Sequence, residues 1–190
     1  MKNLFIDTSS DTLITALSID NKLVDKIELN GIREHSIYAV EKVKEILEDN
    51  KLLPKDIDKI IVVNGPGSFT GIRIGVTIAK TFAYTLNKKI TVASSLKNMV
   101  IGHSGYSYYI SKIVDKKDKN YVGIYNKDYD TIFEGLITDE ELENRIKKID
   151  NYIIIDNNKY DIEKVINYYE LQEDINPHNV NPNYLKEVIW

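Results

Sequence analysis

The first thirty residues carry three short apolar runs separated by turn formers. Leu4-Phe5-Ile6 stops at Asp7-Thr8-Ser9-Ser10-Asp11, a cluster of residues that bond their own backbone in turns. Leu13 to Ile19 partly alternates between apolar and polar, Asp20-Asn21-Lys22 turns, and Leu23 to Leu29 returns before Asn30-Gly31. This pattern predicts an antiparallel meander. The period then changes. Ile37, Val40, Val43 (or Lys44), Ile46 and Leu47 recur at helical spacing over 34–49, with Glu41, Lys42, Glu45 and Glu48 on the other side. After Pro54, the unbroken β-branched run Ile60-Ile61-Val62-Val63 suits a strand buried on both faces.

Asn64 to Gly71 reads as a tight glycine-rich connection into a helix over about 70–86. Ile90 to Ala93 is another strand, and Ser94 or Ser95 can cap a helix through about Ile101. The first hundred residues therefore read β-β-β-α-β-α-β-α, which predicts a mixed sheet flanked by helices. Beyond them, strands are expected at 106–114, 121–125, 131–137 and 152–155, with a charged turn at 116–119. Thr138 to Glu141 has capping-box spacing and opens a helix, and a further helix is expected over 161–171. The tail from Asn176 carries Pro177 and Pro182.

Composition narrows the chemistry. The 190 residues include no cysteine, which excludes thiolate catalysis and cysteine-ligated metals. The net charge is −4, and only Arg33, Arg73 and Arg145 are arginines, a poor endowment for a surface that grips nucleic acid alone. No apolar run is long enough to span a bilayer, and Asp7 comes too early for a secretory signal, so a cytoplasmic location is expected. His35, His103 and His178 lack metal-binding spacing.

The most informative stretch is Gly65-Pro66-Gly67-Ser68-Phe69-Thr70-Gly71-Ile72-Arg73-Ile74-Gly75. It sits between strand and helix, where phosphate loops often lie, but it lacks the Gly-Lys-Ser/Thr of a Walker loop and has one residue too many for the dinucleotide fingerprint or for a nucleophile elbow. A tight structural turn and an anion cradle both fit. Gly71, Gly75, Ala79 and Ala83 are four apart and make one row of small side chains, suited to close packing either on the protein's own sheet or on a partner helix. Asp7 can close an Asx turn or hold a magnesium–nucleotide complex.

Three motifs together resemble the TsaB (YeaZ) family: Ile6-Asp7-Thr8-Ser9, Arg33-Glu34-His35-Ser36, and the stretch from Gly65 to Gly75. Ser94-Ser95-Leu96 and Pro182-Asn183-Tyr184-Leu185-Lys186 extend the likeness, whereas Asp115-Lys116-Lys117 and Asn120-Tyr121-Val122 depart from the family's pattern, and the second half is shorter than usual. The resemblance implies an α/β actin-like ATPase (ASKHA, RNase H-like) fold of two lobes with mixed sheets. The first lobe would be residues 1–100, with the glycine loop and interface helices. The reduced second lobe would be 101–190, including the C-terminal segment. The family's members are non-catalytic partners that activate TsaD in forming N6-threonylcarbamoyladenosine at position 37 of tRNAs, with TsaE joining the complex and TsaC supplying the adenylate. ATP/ADP and magnesium would belong to those partner subunits, with no cofactor or metal implied for this chain, tRNA would be met only through the complex, and the isolated chain would form a homodimer. On this reading Gly71, Arg73, Gly75, Ala79, Ala83 and His35 form the partner interface, Gly65 to Thr70 form the loop, and no residue is catalytic. The competing reading is a nucleotide-binding phosphotransferase or ATPase of the same fold, using Asp7 and the loop.

Overall fold

The computed structural model describes residues 1–31, 34–115 and 118–185. Arg33, Lys116, Lys117 and Lys186, which figured in the motifs and the charged turn, lie outside the described residues. The chain divides into two compact units, residues 1–95 with 162–183, and residues 96–161 with 184–190. The sequence reading placed everything beyond residue 100 in the second lobe. The return of 162–183 to the first unit differs from that boundary, because the last described helix packs on the first sheet.

The first unit is built on a five-stranded sheet of order β3-β2-β1-β4-β5. Its strands are β1 (Lys2–Asp7), β2 (Leu13–Ile19), β3 (Lys22–Leu29), β4 (Lys59–Gly65) and β5 (Lys89–Ser94). The meander β1-β2-β3 is antiparallel, and β4 and β5 join parallel to β1 through crossover helices. Those helices are α1 (His35–Asp49) and α2 (Phe69–Thr85), which pack on one another. Leu4, Ile6, Ile60, Val62 and Ile90 of the sheet meet Val43, Ile46 and Leu47 of α1 and Ile72, Val76, Ala79 and Ala83 of α2 in one core cluster. Each large aliphatic side chain so buried contributes roughly 1.5–3 kcal/mol.

The second unit has a four-stranded sheet, β8-β7-β6-β9, from β6 (Tyr108–Val114), β7 (Lys119–Asn126), β8 (Thr131–Thr138) and β9 (Tyr152–Ile155). It is mixed too, with β9 parallel to β6. Leu96, Met99 and Val100 of α3 (Ser95–Val100) join the cluster on one face. Leu142 of α4 (Asp139–Ile146) joins the cluster on the other. The capping box read at Thr138 is present: its hydroxyl accepts from Glu141 N, and the Glu141 carboxylate accepts from Thr138 N. A meander leading into parallel crossovers, on mixed sheets in two units, is the actin-like fold.

α5 (Ile162–Glu170) closes the face of the first sheet that carries Asn3 and Thr91. It buries Ile162, Val165, Ile166 and Tyr169, and the Tyr169 hydroxyl accepts from Ser94 N at 3.0 Å. Its C-terminal end is held by a charge. Lys59 of β4 is almost wholly buried, and its ammonium donates to Glu170 O at 3.1 Å and Gln172 O at 2.7 Å while pairing with the Asp174 carboxylate at 3.0 Å. Lys89 flanks the same carboxylate at 3.2 Å. Partial burial alone would raise the Asp174 carboxyl, but the hydrogen bonds from Lys59 and Lys89 outweigh it and hold the group below its ordinary value.

A carboxyl so depressed stabilises the fold above its unfolded value near 4, and that contribution is lost as the pH falls through the lower folded value. Asp174→Asn is therefore expected to lower the urea midpoint at pH 7, with the gap from the parent chain narrowing as the pH falls below about 4. A gap that stays constant across that range contradicts the assignment.

Candidate functional site

Two of the three motifs singled out in the sequence, Ile6 to Ser9 and Gly65 to Gly75, meet where β1 and β4 end and α2 begins. Asp7 closes an Asx turn: its Oδ1 accepts from Ser9 N at 2.8 Å and from the Ser9 hydroxyl at 2.7 Å. Of the two readings of this acid, the geometry supplies the turn. Gly65 and Gly67 have φ of +120° and +156°, conformations that L side chains rarely adopt. Ser68 caps α2, its hydroxyl accepting from Gly71 N at 3.2 Å, a cap worth about 1 kcal/mol.

The glycine loop is filled by the protein's own backbone. Ser68 N donates to Ser9 O at 2.7 Å, and the Thr8 hydroxyl donates to Gly71 O at 2.7 Å. A Cβ placed on Gly67 would be driven into the Ser9 carbonyl oxygen, one on Gly71 into that of Thr8, and one on Gly75 into the Thr8 hydroxyl. Phosphate loops bind by offering backbone N–H groups and close approach to an anion. In this loop the close approach is made by the partial negative ends of Thr8 and Ser9.

The row of small residues therefore faces inward. Gly71, Gly75, Ala79 and Ala83 are all buried against the first sheet. This corrects the assignment of these four residues to a partner interface: the small side chains serve the approach of α2 to β1 and β4 of the same chain. His35 is corrected as well. It opens α1 but is only 6% exposed, and among the described residues its Nε2 has no hydrogen-bond partner. Among the interface candidates, Arg73 is exposed, with its guanidinium 3.9 Å from the centre of the Phe69 ring. Of the loop residues, Gly65 and Pro66 are buried, while Ser68, Phe69 and Thr70 are exposed.

Sequence reasoning placed Ile37 and Val40 in the apolar stripe of α1. They are 58% and 60% exposed. The buried face is His35, Ala39, Val43, Ile46 and Leu47. The missed signal was the width of the stripe: Ile37 and Ile46 are nine positions apart, two and a half turns at about 3.6 residues per turn, so both cannot face one sheet. On α2, Phe69 is 46% exposed, and Arg73 and Thr77 follow it at intervals of four on the same outer side. The outer faces of two packed helices thus carry the exposed apolar groups Ile37, Val40 and Phe69 beside an arginine. Among the described residues, no three His, Asp or Glu side chains are grouped as a metal ion requires, and no helix is long and apolar enough to cross a membrane.

The family model of TsaD, described as tRNA N6-adenosine threonylcarbamoyltransferase, matches residues 22–181. The chain belongs to the TsaD/TsaB (YeaZ) family. It is 38% identical over 126 residues to the tRNA threonylcarbamoyladenosine biosynthesis protein TsaB of Bacillus subtilis, a match covering 66% of this chain and 55% of that protein. The chain thus spans about half the length of its Bacillus TsaB relative. It is 29% identical to the uncharacterized protein MG208 of Mycoplasma genitalium over 98% of this chain and 95% of that one. The solved structure of YeaZ from Pseudomonas aeruginosa superposes with a TM-score of 0.78, covering 96% of this chain and 99% of that one. At 16% identity that likeness shows the fold, and it extends over both units of this TsaB-family chain.

Gly75→Leu is expected to destabilise the protein, since overpacking costs about 1–3 kcal/mol, whereas Thr77→Leu on the outer side should stay within about 0.5 kcal/mol. Thermal unfolding of the two variants checks the orientation of α2. Equal melting temperatures contradict it.

Proposed function

We propose that this chain acts in the formation of N6-threonylcarbamoyladenosine in tRNA as a non-catalytic subunit that binds TsaD and holds it in an active shape. Membership of the TsaB family supports the pathway. The observation that carries the subunit role is the outer face of α1 and α2, where Ile37, Val40 and Phe69 expose large apolar surface on helices already packed on their own core. Exposed apolar clusters mark interaction sites, and paired helices offer ridges for another pair to pack on. Arg73, stacked on Phe69, supplies a guanidinium at the edge of that face, a residue type favoured at the centres of interfaces.

The filled loop supports the non-catalytic part of the reading. With the Ser68 N–H given to Ser9 and Asp7 engaged by Ser9, the residues that a phosphotransferase would use for phosphates and magnesium are engaged in the turn itself. Nothing in this geometry favours the phosphotransferase reading. ATP, magnesium and the tRNA grip belong in this proposal to TsaD and TsaE, and TsaC supplies the activated threonylcarbamoyl group. A second copy of the chain would pair through the same apolar face, so homodimer and TsaD complex exclude one another.

The double variant Ile37→Glu/Val40→Glu is expected to keep its circular dichroism and melting temperature and to bind TsaD roughly 30-fold more weakly, a loss of about 2 kcal/mol. Calorimetry with purified TsaD measures it. Unchanged affinity in a folded variant removes this face from the interface.

A further inference from the structure

After α5 the chain runs as a strap along α2 and reaches the glycine loop at Asn183. Ile175 N donates to Ile90 O of β5 at 2.8 Å. The 3-10 turn Pro177–Asn179 packs on α2, where the Lys80 ammonium donates to His178 O at 3.2 Å and the Tyr84 ring meets His178 edge-on, with centroids 4.8 Å apart. Val180 is the anchor: it is 1% exposed and part of the cluster formed by α1, α2 and the sheet. Asn64, the residue before the loop, then holds the strap twice. Its Nδ2 donates to Asn181 O at 2.9 Å, and its carbonyl accepts from Asn183 N at 2.7 Å. The strap also lies against the loop itself, since a Cβ on Gly65 would be driven into the Asn183 carbonyl oxygen.

The loop has few means of holding itself. Gly65 and Gly67 have no side chains and Pro66 has no N–H, so its shape depends on neighbours. Those neighbours are Ser9 O on the Ser68 amide, the Ser95 hydroxyl donating to Pro66 O at 2.5 Å, and the strap on Asn64 and Gly65. The next residue after Ser68 is Phe69, the first of the exposed partner face.

We propose that the strap 175–183 is a seating device for the partner face: with Val180 buried and Asn183 paired to Asn64, it fixes the loop and hence the start of α2, and lifting it releases Phe69 and Arg73 from docking geometry. The proposal rests on the partner reading above and makes TsaD affinity depend on residues that lie outside the outer face of α1 and α2. Partner binding and strap seating then stabilise one another, since a ligand that favours the seated form shifts the equilibrium toward it.

The test uses the full chain carrying Val180→Ala or Asn64→Ala, with Leu142→Ala in the second unit as a control for general loss of stability. Hydrogen exchange of the peptide covering 65–71 and the affinity for purified TsaD are measured on each. The strap variants are expected to remain folded, exchange the loop at least tenfold faster and bind TsaD about tenfold more weakly, with both readouts unchanged in the control. Faster exchange of 175–183 with an unaltered loop, or a loosened loop with unaltered affinity, overturns the proposal, as does an equal loss of affinity in the control. If the parent chain fails to bind TsaD, the partner reading falls. Loop exchange then decides the strap alone: faster exchange in the strap variants supports its hold on the loop, and unchanged exchange refutes it.

Discussion

The backbone of α2 lies against the end of β1 more closely than any residue with a side chain would permit. The carbonyls of Thr8 and Ser9 and the hydroxyl of Thr8 occupy the volume where Cβ atoms of Gly67, Gly71 and Gly75 would stand. Glycine inside a helix costs about 1 kcal/mol relative to alanine, and both Gly71 and Gly75 lie inside α2. The cost is offset because the approach lets Ile72, Val76, Ala79 and Ala83 bury against Leu4, Ile6, Ile60 and Val62. The same approach sets the register of the loop, the cap at Ser68 and the direction in which the opposite side of α2 looks.

That direction is what the proposed function rests on. A loop of this composition in this position offers two uses, an anion cradle or a close backbone contact, and the chain's own carbonyls take the second. With the small row turned inward, the outer side of α2 carries Phe69, Arg73 and Thr77, and α1 beside it carries Ile37 and Val40. A family relationship to proteins of threonylcarbamoyladenosine synthesis and exposed apolar groups on adjoining helices fit the proposal of a chain that works by contact with another protein.

Much of the fold was legible. The switch from period two to period 3.6 after Leu29, the β-branched run at Ile60–Val63 and the capping box at Thr138 each report local backbone preferences, and each element formed where those preferences placed it. Orientation was less legible, because spacing names a row of residues without saying which way the row faces. Gly71, Gly75, Ala79 and Ala83 make the same pattern whether they meet a partner or their own sheet. Gly71 meets the carbonyl of Thr8 and Gly75 its hydroxyl, more than sixty residues away in sequence, while Ala79 and Ala83 join the core under the sheet. The apolar positions of α1 are spread too widely around the helix to be buried together, and only the packing of α1 on β2 selects Ala39 and Val43 over Ile37 and Val40. The placement of α5 and the strap on the first unit was equally hidden, since it depends on long-range ties such as Lys59 to Asp174 and Asn64 to Asn183.

The chain contains no cysteine, so a single introduced thiol reports its own site alone. The most direct measurement is the alkylation rate of Val40→Cys and Ala79→Cys, each with and without TsaD. The account predicts rapid alkylation at position 40 that TsaD suppresses, and slow alkylation at position 79 under both conditions. Rapid alkylation at 79 that TsaD suppresses, with position 40 indifferent to TsaD, would contradict it.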